Sequence, residues 1–156
     1  MTRMLLSLNR KEMFSASMVI FLGLYYIIIF ASSLFQAHSL QFPTHLLLVE
    51  LKWLLSGLLF VSGGILMFRK KQAGWVISTA TLLNFLLIVF MNILSLSQII
   101  KLNAYIAITM GFFVLLCMAF VFLFRRPTRV KFMVNNKSYL LTIALYLMLI
   151  TITFWL

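Results

Sequence analysis

Read for polarity alone, the chain is five long apolar runs separated by short polar breaks. The runs cover 16–35, 46–68, 74–96, 104–124 and 139–156. A hydrocarbon layer of about 30 Å needs roughly 20 helical residues to cross it, and each run meets or approaches that length. A lone strand in lipid leaves its backbone amides unpaired, so each crossing segment has to be a helix. The last run is the shortest, but it carries no charge and is counted as a span; without it the number is four. The breaks, at 36–45, 69–73, 97–103 and 125–138, are short, and short links favour antiparallel neighbours. The expected fold is therefore an all-α up-down bundle of five transmembrane helices, one membrane domain over 1–156. In the longest break, RRPTRVKFMVNNKS, Pro127 stops the fourth helix. The VKFMV stretch is expected to lie in the interface, its apolar groups in lipid and Lys131 in water. No internal repeat is visible.

Composition agrees with this pattern. Hydrophobic residues make up 64% of the chain, and the mean hydropathy is +1.13. A soluble domain of this size runs nearer about 45–50% apolar, so the polar residues are too few to clothe a water-facing surface. The single cysteine, Cys117, excludes an internal disulfide framework. The N-terminus, with Arg3, Arg10 and Lys11 before an apolar stretch, has the outline of a signal peptide, and Ala31 and Ser33 form a weak cleavage pattern. The apolar run continues to Phe35, long enough to span, so the expectation is an uncleaved first helix.

Charge gives the bundle a direction. With the N-terminus placed in the cytoplasm, eleven of the thirteen Lys and Arg residues face inside, leaving Lys52 and Lys101 outside. That obeys the positive-inside rule and puts the C-terminus outside after five spans. The net charge of +11 is spread over short membrane-flanking clusters. Arg69, Lys70, Lys71, Arg125, Arg126, Arg129 and Lys131 are thus expected to meet anionic lipid headgroups or an acidic partner, and not nucleic acid. A multi-pass protein of the bacterial inner membrane fits these features best.

Candidate chemistry is sparse, and it centres on Glu50, one of two acids in the chain. If Trp53, one turn further on, marks the interface, and Pro43 opens the second helix, Glu50 sits in the headgroup layer and Lys52 snorkels outward. If the span begins at Leu46, Glu50 lies one turn inside the hydrocarbon, where an ionisable group points to function. Lys52 at i+2 and His45 at i−5 lie off the helix face of Glu50. His38, His45 and Glu50 follow no ligand spacing, so no metal or cofactor is expected. In the third run Thr81, Asn84 and Ile88 share a face, and Asn84 falls near mid-membrane. There it either bonds another helix or lines a solute path. Small residues mark close approach: Gly57 and Gly64, beside Gly63, in the second run, and Ala104, Ala107 and Gly111 in the fourth. The second, third and fourth helices are expected to form the packed centre.

Three functions are compatible with these residues. Catalysis needs several converging polar groups, and the chain has no Asp, no phosphate loop and no recognisable hydrolase motif. The leading expectation is a small non-catalytic accessory or scaffolding subunit, docked against another membrane protein. The second is a transporter or channel component using Glu50 and Asn84. Neither proline falls within a run, so no span looks broken, and this weighs against a secondary transporter. The third is an enzyme with an outer-face site at His38, His45 and Glu50.

Overall fold

The computed structural model describes residues 8–38, 44–99 and 104–155, with the side chains of 36–38, 44–50, 96–99, 104–105 and 155 outside that description. Among the described residues six helices follow in order: α1 Arg10–His38, α2 Thr44–Phe68, α3 Gln72–Ile99, α4 Ala104–Phe124, α5 Arg126–Lys131 and α6 Asn136–Trp155. All but α5 are long and apolar enough to cross a membrane. The chain is a polytopic, all-helical membrane protein. Pro43, expected to open α2, lies outside the described residues.

Several helices run past their apolar runs because polar turns cap them. At α1, the Glu12 side chain accepts the backbone N–H of Asn9 at 2.8 Å, one half of a capping box. At α6, the N–H of Asn135 donates to Ser138 Oγ at 3.1 Å, and the Ser138 N–H donates to Asn135 Oδ1 at 3.0 Å. The C-terminus of α2 closes with Lys70 N–H donating to the Met67 carbonyl and Lys71 N–H donating to that of Leu66. That is a Schellman pattern, and it puts Lys70 at a left-handed φ of 54°. The same arrangement ends α5, with Met133 at φ 52°.

The chain crosses the layer in alternating directions. Ser15, early in α1, meets Ala119, late in α4, and Trp75, early in α3, meets Leu123. Helices α3 and α6 run parallel: Gln72 reaches Ser138 at one end, and Asn84 reaches Thr153 further along. All the helix ends bearing Arg10, Lys11, Arg69, Lys70, Lys71, Arg125, Arg126 and Lys137 therefore gather at one end of the bundle, the basic end.

Helix α3 is the centre. It packs on α1, α2, α4 and α6, and 56% of its most apolar window is buried against 28% or less for the other spans. The closest pair, however, is α1 with α2. A Cβ placed on Gly23 would meet the Gly57 carbonyl oxygen at 2.8 Å, and one on Gly57 would meet that of Gly23 at 2.9 Å. A Cβ on Gly64 would meet the Ala16 carbonyl oxygen at 2.9 Å. With no solvent drive between helices in lipid, such close backbone approach is what holds a pair together.

The expected centre of second, third and fourth helices is therefore corrected. Gly57 and Gly64 serve the α1–α2 seam, and Gly63 meets α3. In α4, Ala107 is exposed, and a Cβ on Gly111 would touch nothing within 4 Å. The α4 stripe, expected to mark close helix approach either within the chain or to another chain, faces outward at these two positions, because α4 meets α3 and α1 through Leu116, Ala119 and Leu123. The Ala104 side chain lies outside the described residues.

Candidate functional sites at the basic end and mid-membrane

The other acid, Glu12, was not singled out by its sequence context, yet it organises the basic end. It is 3% exposed. Besides capping α1, its Oε2 accepts from Lys131 Nζ at 2.5 Å. Lys131 comes from α5, so the pair ties the break after α4 to the start of α1. This corrects two expectations for that break. Lys131 is not in water: its side chain is only 11% exposed. Phe132 is not in lipid: it is buried in the core while Val130 and Met133 on either side are exposed. A buried carboxylate is costly unless paired, and the turn that brings Lys131 inward carries Phe132 in with it.

Neighbouring polar groups extend this clasp. Arg129 Nη1 donates to Tyr139 Oη at 2.9 Å. Gln72 Nε2 donates to Ser138 Oγ at 2.5 Å and to the Met133 carbonyl at 3.0 Å. Trp75 Nε1 donates to the Leu123 carbonyl at 2.9 Å. Arg129, like Lys131, is thus engaged inside the protein. Arg69, Lys71, Arg125 and Arg126 are exposed, and Lys70 is half-buried. Arg125 and Lys11 flank the Phe122 ring at 6.0 and 5.5 Å from its centroid.

The second polar site is at Asn84, which is 5% exposed. Its Nδ2 donates to Thr153 Oγ1 at 3.2 Å. The Thr153 hydroxyl already donates to the Leu149 carbonyl at 2.8 Å, so towards Asn84 it can only accept. That leaves Asn84 Oδ1 without a protein donor. Asn84 lines a cavity of about 70 Å³ together with Tyr26, Lys52, Ser56 and Thr153. The wall is mainly apolar but carries several polar groups, and the space is large enough for water, which needs two or more polar partners. Lys52, whose ammonium lies 5.5 Å from the Trp53 ring centroid, therefore reaches the same cavity as Asn84. On the basic side Tyr26 stacks on Phe60, with Phe85 edge-on to both. The side chains of Glu50, His38 and His45 lie outside the described residues, so the structure places Lys52 and Asn84 together but leaves the rest of that set undescribed. Thr153 was not anticipated; its signal is a hydroxyl in an otherwise apolar last turn.

The third feature is apolar. A crevice of about 400 Å³ opens between α1 and α4 over α3, walled by Phe21, Tyr25, Phe85, Ile108 and Phe112 with Asn92 among its lining. Helices α1 and α4 touch near the basic end, where Phe14 meets Phe122 edge-on at 6.1 Å, and the crevice lies beyond that contact.

Among the described residues no three His, Cys, Asp or Glu side chains gather where they could hold a metal. No protein-family model, curated protein or solved structure matches the chain.

Proposed function

We propose that this chain is a small non-catalytic membrane subunit that docks in the bilayer plane against a larger membrane protein. The observation that carries the reading is the use made of its glycines. Gly23, Gly57, Gly63, Gly64 and Gly74 each sit where a Cβ would collide with a neighbouring helix, and Gly111 alone of the six faces open space. Where this chain has a glycine, a helix lies against it; Gly111, with exposed Ala107 one turn before, offers the same surface to a helix of another protein. The described polar side chains support the reading, since Glu12, Lys131, Gln72, Trp75 and Asn84 tie the chain's own elements together. In this reading the exposed cations of the basic end rest on anionic lipid at the cytoplasmic face of a bacterial inner membrane.

The test is isolation of the tagged full chain from native membranes in mild detergent, with mass spectrometry and native mass. Another membrane protein at fixed stoichiometry, lost with Gly111→Leu, is the expected result. A homogeneous species of this chain alone overturns it.

The cavity at Asn84 favours a second reading, a component of a transport path, because it joins a lysine and a buried unpaired acceptor. Its test is flux in reconstituted vesicles, which Asn84→Leu should change without reducing expression.

A further inference from the structure

We propose that the crevice between α1 and α4 is a stoichiometric lipid site. It takes one acyl chain of a phospholipid from the leaflet opposite the basic end. Its position comes from helix rise. Phe85 is thirteen residues beyond the start of α3, about 20 Å along the axis, and Asn92 is twenty residues beyond it, about 30 Å along. With a hydrocarbon layer of about 30 Å starting near Gln72, the crevice occupies the distal third of that layer. Asn92 stands at its boundary, the depth at which a lipid's ester carbonyls lie. The exposed amide of Asn92 can donate to such a carbonyl while the chain runs down to Phe85.

Size and chemistry select this occupant. About 400 Å³ lined mainly by aromatic and aliphatic side chains, with Asn92 and Thr109 as polar members, is the usual form of a small-ligand pocket. A partner helix is about 10–12 Å across with its side chains. A single turn would fill the space, and a stable docking needs several turns. The described lining is mainly aromatic and aliphatic and carries no charge among the described residues, which suits an acyl chain more than a headgroup. Phe21 and Ile108 at its mouth are 61% and 71% exposed, which leaves the entrance open towards lipid. The inference is independent of the subunit reading, because it concerns the isolated chain.

The experiment reconstitutes the full chain in nanodiscs of dioleoylphosphatidylcholine or dioleoylphosphatidylglycerol. Native mass spectrometry then counts the lipids retained after the disc is stripped. One retained lipid per chain, the same in both headgroups, is expected. Ile108→Trp blocks the mouth and should reduce it to none. Val121→Trp, a similar enlargement on exposed α4 surface outside the crevice, should leave it at one. Asn92→Leu should shorten retention roughly threefold, the effect of an average hydrogen bond in a membrane. Circular dichroism confirms that each variant is helical. Should I108W lose its fold, the Asn92→Leu comparison alone decides the matter. No retained lipid in the wild type, equal retention in a folded I108W, or retention of the glycerol headgroup only would each overturn the proposal.

Discussion

The carboxylate of Glu12 and the ammonium of Lys131 lie 2.5 Å apart across 119 positions of sequence, both largely shielded from solvent. The contact joins the first turn of α1 to the last turn of α5. Because α5 continues through Phe132 into the core, the pair fixes how the chain turns between α4 and α6. Removing one partner strands the other charge, which costs about 3–5 kcal/mol for a buried pair. Glu12→Ala and Lys131→Met are each expected to destabilise the protein by that order. Glu12→Ala also removes the α1 cap, so it should be the worse of the two. Replacing both with apolar residues should recover part of the loss. Unfolding in detergent for the two single variants and the double variant checks this. Additive losses would mean that the pair contributes nothing as a pair.

The α1–α2 seam predicts a different pattern. Gly57 has the Gly23 carbonyl oxygen where its Cβ would be, and Gly111 has open space. Gly57→Ala forces two backbones apart and should cost about 1–3 kcal/mol, as overpacking does. Gly111→Ala should leave the isolated chain as stable as before or slightly more so, since alanine favours a helix over glycine by roughly 0.8–1 kcal/mol. Thermal unfolding of the two variants side by side separates the seam from the outer face.

These two cases also show what the sequence could disclose. The five spans were legible because crossing lipid sets a minimum apolar length that few other constraints imitate. The four internal links are shorter at most ends than the apolar pattern implies. Polar caps such as Asn9–Glu12 and Asn135–Ser138 carry helix beyond the apolar run, and apolarity does not register them. Glu12 is hard to single out because it sits beside Arg10 and Lys11, where an acid looks like part of a solvated cluster. Its N-x-x-E spacing from Asn9 was the available signal. Its partner is remote in sequence, so nothing local points to Lys131. Small residues in α2 mark close contact but not its partner, and Ala107 and Gly111 in α4 face away from the bundle, because the side a small residue turns to depends on how its helix is rotated. The central place of α3 was half legible: Ser78, Thr79, Thr81 and Asn84 are polar residues that lipid would reject, and all four are buried. The crevice left no mark, because its walls are the same Phe, Ile and Val that face lipid elsewhere.

At Asn84 the prediction turns on which half of the amide is used. The Nδ2 bonds Thr153, and the Oδ1 has no protein donor. Hydrogen bonds between membrane helices average about 0.6 kcal/mol, and an unpaired acceptor offsets part of that. Asn84→Leu should therefore change stability by less than about 1 kcal/mol. Thr153→Val removes the acceptor and leaves the whole amide buried without a protein partner, so it should cost more than Asn84→Leu. Equilibrium unfolding of both variants decides the order. The reverse order would mean that Oδ1 is strongly held, by water or by a ligand in the adjoining cavity.

The end of α2 carries the last prediction. Lys70 adopts a φ of 54° to let its own N–H and that of Lys71 bond the Met67 and Leu66 carbonyls. That left-handed position suits glycine, and a residue with a Cβ there is disfavoured by roughly 1–2 kcal/mol. Its place in the basic cluster offers a reason for a lysine at a glycine position, since each cation near an anionic surface contributes about 1 kcal/mol of attraction. The two effects separate by experiment. In uncharged detergent, Lys70→Gly should raise stability by up to about 1 kcal/mol, because the strain is relieved and no anionic surface is present. In vesicles rich in phosphatidylglycerol the gain should shrink or vanish. Met133, held at φ 52° in the same motif at the end of α5, is the control: Met133→Gly loses no charge, so its gain should be the same in both media. A Lys70→Gly gain that ignores lipid charge would remove the lysine's side chain from the membrane surface and leave only its backbone role at the turn.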